Sequence, residues 1–253
     1  MAERNFTFAA AGPVQLDLAA DTGTIHIDSG PHIFVARITI TTRDESGPSA
    51  EAVRNAAIEQ TNRQLRVRVK TPASTMTGGG VVISTSGSVR INGGRVFING
   101  AEVTPDGASS RSSSHIEIRA YLPEGSAARV ATKAATTYTS GHLNRLDYEA
   151  SSGSLHAASV AELDAGTSSG GIDVDEVTDA MSVTASSGSI RIGAYSGAGP
   201  STVSASSGSI AVRATARSRG RLSASASSGS IRLSGTAHLD VRHRVSSGSA
   251  HIS

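Results

Sequence analysis

The phrase Ser-Ser-Gly-Ser, followed by residues that alternate between apolar and polar, recurs through the second half of the chain. It stands at Ser151-Ser152-Gly153-Ser154-Leu155, Ser186-Ser187-Gly188-Ser189-Ile190, Ser206-Ser207-Gly208-Ser209-Ile210, Ser227-Ser228-Gly229-Ser230-Ile231 and Ser246-Ser247-Gly248-Ser249-Ala250, with a near copy at Ser168-Ser169-Gly170-Gly171-Ile172. A short unit that returns at a nearly constant period marks an architecture made by stacking one unit on the next, because no unit buries its apolar edge alone.

Alignment on Gly141, Gly153, Gly170, Gly188, Gly208, Gly229 and Gly248 turns the repeat into geometry. Two places after the glycine stand Leu143, Leu155, Ile172, Ile190, Ile210, Ile231 and Ala250. Four places after it stand Ala157, Val174, Ile192, Val212, Leu233 and Ile252, with Arg145 the misfit. Between them lie His156, Asp173, Arg191, Arg232 and His251, so the segment has the period-two alternation of a strand with one face in and one face out. A second alternating segment precedes each glycine, as in Leu163/Ala165/Thr167 and Leu222/Ala224/Ala226. Each unit reads as strand, Ser-Ser-Gly corner, strand and loop. The glycine turns where a Cβ would clash, and the serines are expected to satisfy corner amides or to form hydroxyl ladders.

The fold class that follows is all-β, a parallel β-solenoid with a thin interior of small residues such as Ala205 and Ala226. An antiparallel sandwich is the alternative, but hairpins would not need the same corner at the same register. Composition agrees with thin β layers: aromatics are 3% of the residues, Trp is absent, and there is no Cys for disulfides or thiolate metal sites. The formal charge of +2 does not suit a generic nucleic-acid binder, and specific nucleic-acid binding is not expected. The opening residues Met1 to Phe8 contain no apolar run of a secretory signal, and no stretch is long enough to span a bilayer. The expected location is cytoplasmic, with peripheral envelope association as the alternative.

Three regions are expected. Residues 1–73 form a β-rich capping region that echoes the repeat register around Gly23, with strands at Ile33–Ile40 and Leu65–Val69. A helix is predicted at about 49–60, capped by Ser49, helped by Glu51 in its first turn, and apolar through Ala52, Val53, Ala56 and Ala57. It is expected to lie as a lid over one end of the stack, where open strand edges invite aggregation. Residues 74–114 form a Gly/Ser-rich insertion, with strands Val89–Asn92 and Val96–Ile98 ending in Asn-Gly turns. Its Gly78-Gly79-Gly80 run lacks the lysine-bearing pattern of a phosphate loop. Residues 115–253 carry the solenoid repeats.

The run His115-Ile-Glu-Ile-Arg-Ala-Tyr121-Leu122-Pro123-Glu124-Gly125-Ser126, with the Ser-Ser-Gly-Ser repeats after it, resembles a bacterial family of adhesin-like, β-strand repeat-containing proteins of unknown function. The resemblance covers 115–253 well and 1–70 more loosely. It implies the repeat fold and, for some members, an adhesive or cell-envelope role. It transfers no catalytic residue.

Candidate chemistry is sparse. In a solenoid the residues three places after each glycine form an outward column, which places His156, Asp173 and Arg191 side by side. A polysaccharide-active site could be built from such a column, but an ion-pair ladder on a solvated face is the simpler reading, since no second carboxylate follows. Gly170-Gly171-Ile172-Asp173-Val174-Asp175 matches half of a calcium-binding β-roll repeat but occurs once, so its ligands have no partner coil. His238, His243 and His251 do not converge, because His243 falls on an inward column and His251 on an outward one. No catalytic residue, cofactor or metal is assigned.

Charge is distributed along the stack. Residues 144–180 carry a net −7 and residues 181–253 a net +7. The basic half holds Arg191, Arg213, Arg217, Arg219, Arg221 and Arg232, a candidate interaction surface for an acidic partner. With no capping helix after the last repeat, the carboxyl-terminal coil is expected to offer free backbone groups to a second copy. The expected function is a non-enzymatic scaffold or adhesin-like interaction module, whose partner is a second copy or another protein. A binding module for glycans or polyanions is the alternative, and a polysaccharide-active enzyme comes third.

Overall fold

A computed structural model describes residues 1–71 and 115–253, and between them only the backbone of three short strands. In chain order the elements are β1 (Ala2–Ala11), β2 (Gln15–Ala20), β3 (Thr24–Gly30), β4 (Val35–Thr42), α1 (Pro48–Arg54), β5 (Ala57–Thr61) and β6 (Gln64–Val69). The short strands β7 (Val89–Asn92), β8 (Arg95–Ile98) and β9 (Ala101–Val103) follow. Then come β10 (Ile116–Pro123), β11 (Ala127–Thr132), β12 (Thr136–Ala150), β13 (Leu155–Ser169), β14 (Ile172–Ser187), β15 (Ile190–Tyr195), β16 (Ser201–Ser207), β17 (Ile210–Ala214), β18 (Arg221–Ser234) and β19 (Asp240–Ile252).

The architecture is a parallel β-solenoid. The segments after each glycine form one sheet, face A, and those before it form the other, face B. From β12 onward each coil pairs in parallel with the next, Leu155 with Ile172, Ile172 with Ile190, Ile190 with Ile210 and Ile210 with Ile231. On face B, Leu146 pairs with Leu163, Leu163 with Met181, Ser201 with Leu222 and Leu222 with Val241. Inward residues of both faces meet in one dry column of Leu, Ile, Val and Ala, most of them under 5% exposed. Full burial of each larger aliphatic side chain stabilises by about 1.5–3 kcal/mol, so the stack is held by like side chains lying over like. Ser201 interrupts the apolar column at no loss of hydrogen bonding. Its Oγ accepts from Met181 N (3.2 Å) and bonds the Tyr195 hydroxyl (2.8 Å), which donates to Gly199 O (3.1 Å).

The corner explains the glycines. A Cβ added at Gly170 would lie 2.0 Å from Gly153 O, at Gly188 1.9 Å from Gly170 O, and at Gly208 1.9 Å from Gly188 O. The constraint is closeness of one backbone to the next, since in these coils φ is not positive. Bonds between corners are made by the main chain, with Ser169 N donating to Ser151 O (2.8 Å) and Ile172 N to Ser189 O (2.9 Å). Ser152 Oγ donates to Lys133 O (3.2 Å), but the expected ladder from hydroxyl to hydroxyl is not what joins the described coils.

Gly141 is not part of this series. It lies within β12 at a register irregularity between Thr139 and His142, at the opposite edge of the coil, with φ +74°. The corner before Gly153 is instead Ala135, and an added Cβ at Gly153 would meet its carbonyl oxygen at 2.2 Å. Accordingly Leu143 pairs with Val160, not with Leu155. The apparent misfit Arg145 is an outward residue of face B, bonded to Asp147 (2.8 Å) and Glu162 (3.2 Å).

The amino-terminal segment is both cap and part of the stack. β10 lies between antiparallel β4 and parallel β3, and β3 lies between β10 and β12. On face B, β11 lies between β2 and β12. The β2–β3 coil is therefore interleaved with the β10–β11 coil. Beyond them, β1 on β4 and β5 on β6 close this end with antiparallel pairs. The helix packs on β1 and β4, with Ala50, Ala52 and Val53 buried. It is shorter than predicted and ends at Arg54, because 57–61 pairs as β5 with the apolar strand β6. Its N-cap is Gly47 with φ 94°, and Ser49 is buried inside the first turn. The chain at β7–β9 forms a three-stranded antiparallel sheet. The glycine run at 78–80, the Asn-Gly turns at 92–93 and 99–100 and the serine run at 109–114 lie outside the fully described residues.

Candidate binding face

The outward residues of face A build a column from neighbouring coils. Arg119 pairs with His26, His26 with Tyr138, Tyr138 with His156, His156 with Asp173, and Asp173 with Arg191. The column continues through Ala211 and Arg232 to His251. Parallel strands lie about 4.8 Å apart, so planar groups at one register stack. The rings of His26 and Tyr138 lie 5.3 Å apart and those of Tyr138 and His156 5.1 Å apart, both at 13°. These are separations at which offset aromatic pairs attract. The ring faces cover one another and the edges point to solvent, with Tyr138 42% exposed.

Charge flanks the rings on both sides. Glu117 Oε1 holds Arg119 at 2.7 Å and lies 3.8 Å from His26 Nε2. The bond from Glu117, reinforced by Tyr121, raises the Arg119 guanidinium above its ordinary pKa. On the other side Arg191 Nε stands 3.9 Å from Asp173 Oδ1, an exposed pair of the weak kind. The sequence-predicted column of His156, Asp173 and Arg191 is thus brought together. Sequence reasoning missed His26 and Tyr138, although His26 stands three places after Gly23 in the same register. Tyr138 stands three places after Ala135, where no glycine marks the corner.

The candidate arginine surface divides. Arg191, Arg213 and Arg232 project from face A. Arg217 and Arg219 belong to the turn between β17 and β18, and Arg221 begins β18. Arg219 Nη1 donates to Ala216 O and Ser218 O, both at 2.8 Å. Arg221 Nε donates to Asp240 at 2.8 Å, which holds that carboxyl below its ordinary pKa.

His142 Nδ1 lies 2.9 Å from Ser159 Oγ, which donates to Glu176 Oε2 at 3.2 Å. A serine whose proton is given to a carboxylate accepts from the imidazole, so the histidine is not placed as its base. Asp173 meets Arg191 in the next coil, and no carboxylate stands where a β-roll would need one. His243 pairs with Ala224 and His251 with Arg232, on different faces. Among the described residues no group of three His, Asp or Glu could hold a metal ion. A recess of about 520 Å³ lies on face B beside Asp21, Arg68, Lys70, Lys133 and Glu149, away from the aromatic column. No helix among the described residues is long and apolar enough to cross a membrane.

The sequence model of the family described as Toastrack DUF4097 matches residues 32–253. A solved "putative adhesin" from Bacteroides fragilis is similar over 99% of this chain and 95% of its own, with a TM-score of 0.53 and 12% identity. Another, from Parabacteroides distasonis, is similar over 98% of this chain and 96% of its own, with a TM-score of 0.54 and 14% identity. At these identities the likeness shows a shared fold. No curated protein matches the chain.

Proposed function

Since the chain belongs to the Toastrack DUF4097 family, we propose that it works as an adhesin-like interaction module, a rigid solenoid that binds a partner through face A and catalyses no reaction. The observation that carries this reading is the register column of Arg119, His26, Tyr138, His156, Asp173 and Arg191, which offers a continuous edge of rings and charges. Such an edge suits contact along an extended partner. The common glycoside hydrolases use two carboxyl groups flanking the scissile bond, and here Asp173 is followed by Arg191. The name borne by the two solved relatives supports the same reading. Beads coated with the protein should be retained on at least one polysaccharide from a panel of immobilised neutral and anionic ones. The double variant Tyr138→Ala/His156→Ala should lose that retention. Equal retention of both proteins, or none by the wild type, would overturn the proposal.

A second reading, assembly with a second copy, is favoured by the far end of the stack. β19 pairs with β18 from Asp240 to Ile252, and its other edge has no strand partner among the described residues. Ile252 is 37% exposed there, and Val241 and Val245 are only partly covered. An open edge is a template for another strand. Sedimentation at tens of micromolar should show a species heavier than the monomer, lost in the variant Val245→Lys/Ile252→Lys, which puts charge on the exposed edge coil. A strictly monomeric full-length chain excludes this mode.

A further inference from the structure

Between Arg191 and Arg232 the outward column of face A drops to a methyl group at Ala211. Arg213, two residues along the same strand, projects from the same face and flanks the gap. Three arginines from β15, β17 and β18 are therefore neighbours, by register or along the strand, of one small outward residue. Among the described residues neither Arg213 nor Arg232 makes an ion pair with an acidic side chain, and Arg191 has only the 3.9 Å contact with Asp173. We propose that Arg191, Arg213 and Arg232 around Ala211 form an anion seat for the carboxylate or sulfate groups of an anionic polysaccharide, whose chain runs along face A and over the edges of His156, Tyr138 and His26. This rests on the reading of face A as the binding face.

The argument is one of charge and shape. Arginine forks match the geometry of carboxylate and sulfate oxygens, and the longest-range contact of the three, Arg191 with Asp173 at 3.9 Å, is weak enough to yield to a ligand. Next to the seat the column changes character, from guanidinium groups to ring edges that carry imidazole nitrogens and a phenol hydroxyl. Thr136, Ser154, Ser189, Ser209 and Ser230 stand two residues before the column positions on the same outward side, adding hydroxyls along its flank. A sugar polymer presents hydroxyls and charges in alternation, and this strip offers partners for both. A single-stranded nucleic acid is a poorer fit, because bases stack on open ring faces and here the rings cover one another. Asp173 is the one carboxylate of the column on this side, and it opposes an anion.

The experiment measures binding of polygalacturonate and of a heparin oligosaccharide, with dextran and a single-stranded oligonucleotide as comparisons. Five variants at outward positions are used, and the thermal midpoint of each is checked against the wild type. Arg213→Glu/Arg232→Glu should weaken both anionic polysaccharides by about tenfold or more. Asp173→Asn should tighten them by about two- to fivefold. Ala211→Glu, which puts a carboxylate at that position, should weaken them without removing any arginine. Arg217→Glu, in the turn outside face A, should change nothing. Equal weakening by Arg217→Glu would show attraction to net charge alone, and no response to Ala211→Glu would show that the anion does not lie over Ala211; either result overturns the seat. Tighter binding of the oligonucleotide would overturn the polysaccharide as occupant, and equal binding of dextran would overturn the need for its anionic groups. Loss of dextran binding in Tyr138→Ala/His156→Ala with no response to the arginine variants would sink the seat while leaving the binding face standing.

Discussion

The two halves of the solenoid solve the same packing problem by different means. In the carboxyl half the order of coils in space is the order in sequence, and corner after corner is a glycine whose missing Cβ lets the next backbone approach. In the amino half, coils from distant parts of the chain are interleaved, β3 between β10 and β12 and β2 between β6 and β11. There the corner level passes through Ile116, Gly23 and Ala135. Local repetition can set a register cheaply, coil by coil, whereas interleaving needs contacts between residues far apart in the chain, whose loop-closure entropy must be recovered by many contacts at once. The comparison teaches that the repeat motif is a steric device at the corner and not a requirement of the fold.

The largest test of that contrast is at the corner itself. Gly188→Ala would place a methyl carbon 1.9 Å from Gly170 O, a backbone atom that cannot swing away. A loss of about 3 kcal/mol or more is expected in urea unfolding. Ala135→Gly, at the corresponding amino-half corner, should cost only about 1 kcal/mol through backbone freedom. Equal effects at the two sites would remove the steric account.

Buried tyrosines sharpen the comparison at alkaline pH. Tyr148, inside the interleaved region, has a hydroxyl with no hydrogen-bond partner, and burial pushes its pKa up to about 12. Above pH 10 the unfolded chain releases this proton while the folded chain keeps it. Stability is therefore intact below pH 10 and falls as pH rises toward 12, by up to about 2–3 kcal/mol. Tyr148→Phe should leave stability near neutral pH almost unchanged and flatten this alkaline slope. Tyr195, in the carboxyl half, is also raised by burial but bonds Ser201 and Gly199. Tyr195→Phe should cost about 1 kcal/mol at neutral pH. Urea titrations from pH 8 to pH 12 check both.

The smallest effect concerns two threonines at equivalent places before the corner. Thr132 Oγ1 accepts from Ala135 N at 2.9 Å, while Thr167 Oγ1, ahead of Gly170, is buried without a partner. Thr167→Val should stabilise by up to about 1 kcal/mol, and Thr132→Val should destabilise by a similar amount. Equal signs in thermal or urea unfolding would contradict the difference between an alanine corner and a glycine corner.

The same alanine limits what could be read of the binding face. Counting three places from each glycine leads to His156, Asp173 and Arg191, and the structure puts them in one column. The same count from Gly23 leads to His26. Tyr138 was hidden because its corner is Ala135, while Gly141 nearby offered a false register. The arginines were legible as a charge excess, but their division into a face and a turn was not. That division depends on which side of a coil each loop leaves.

By itself the sequence determined which side chains point inward and which outward, because period-two alternation is a property of the extended backbone and needs no distant partner. It also determined register through most of the carboxyl half, since a Cβ at the wrong corner has no room. Only the tertiary structure decided which coils are neighbours in the amino half, and so brought His26 of β3 beside Tyr138 of β12. No local rule reaches across that interval. The interleaving is held by the combined burial of two sheets, and an energy shared among so many residues leaves no motif on any one of them.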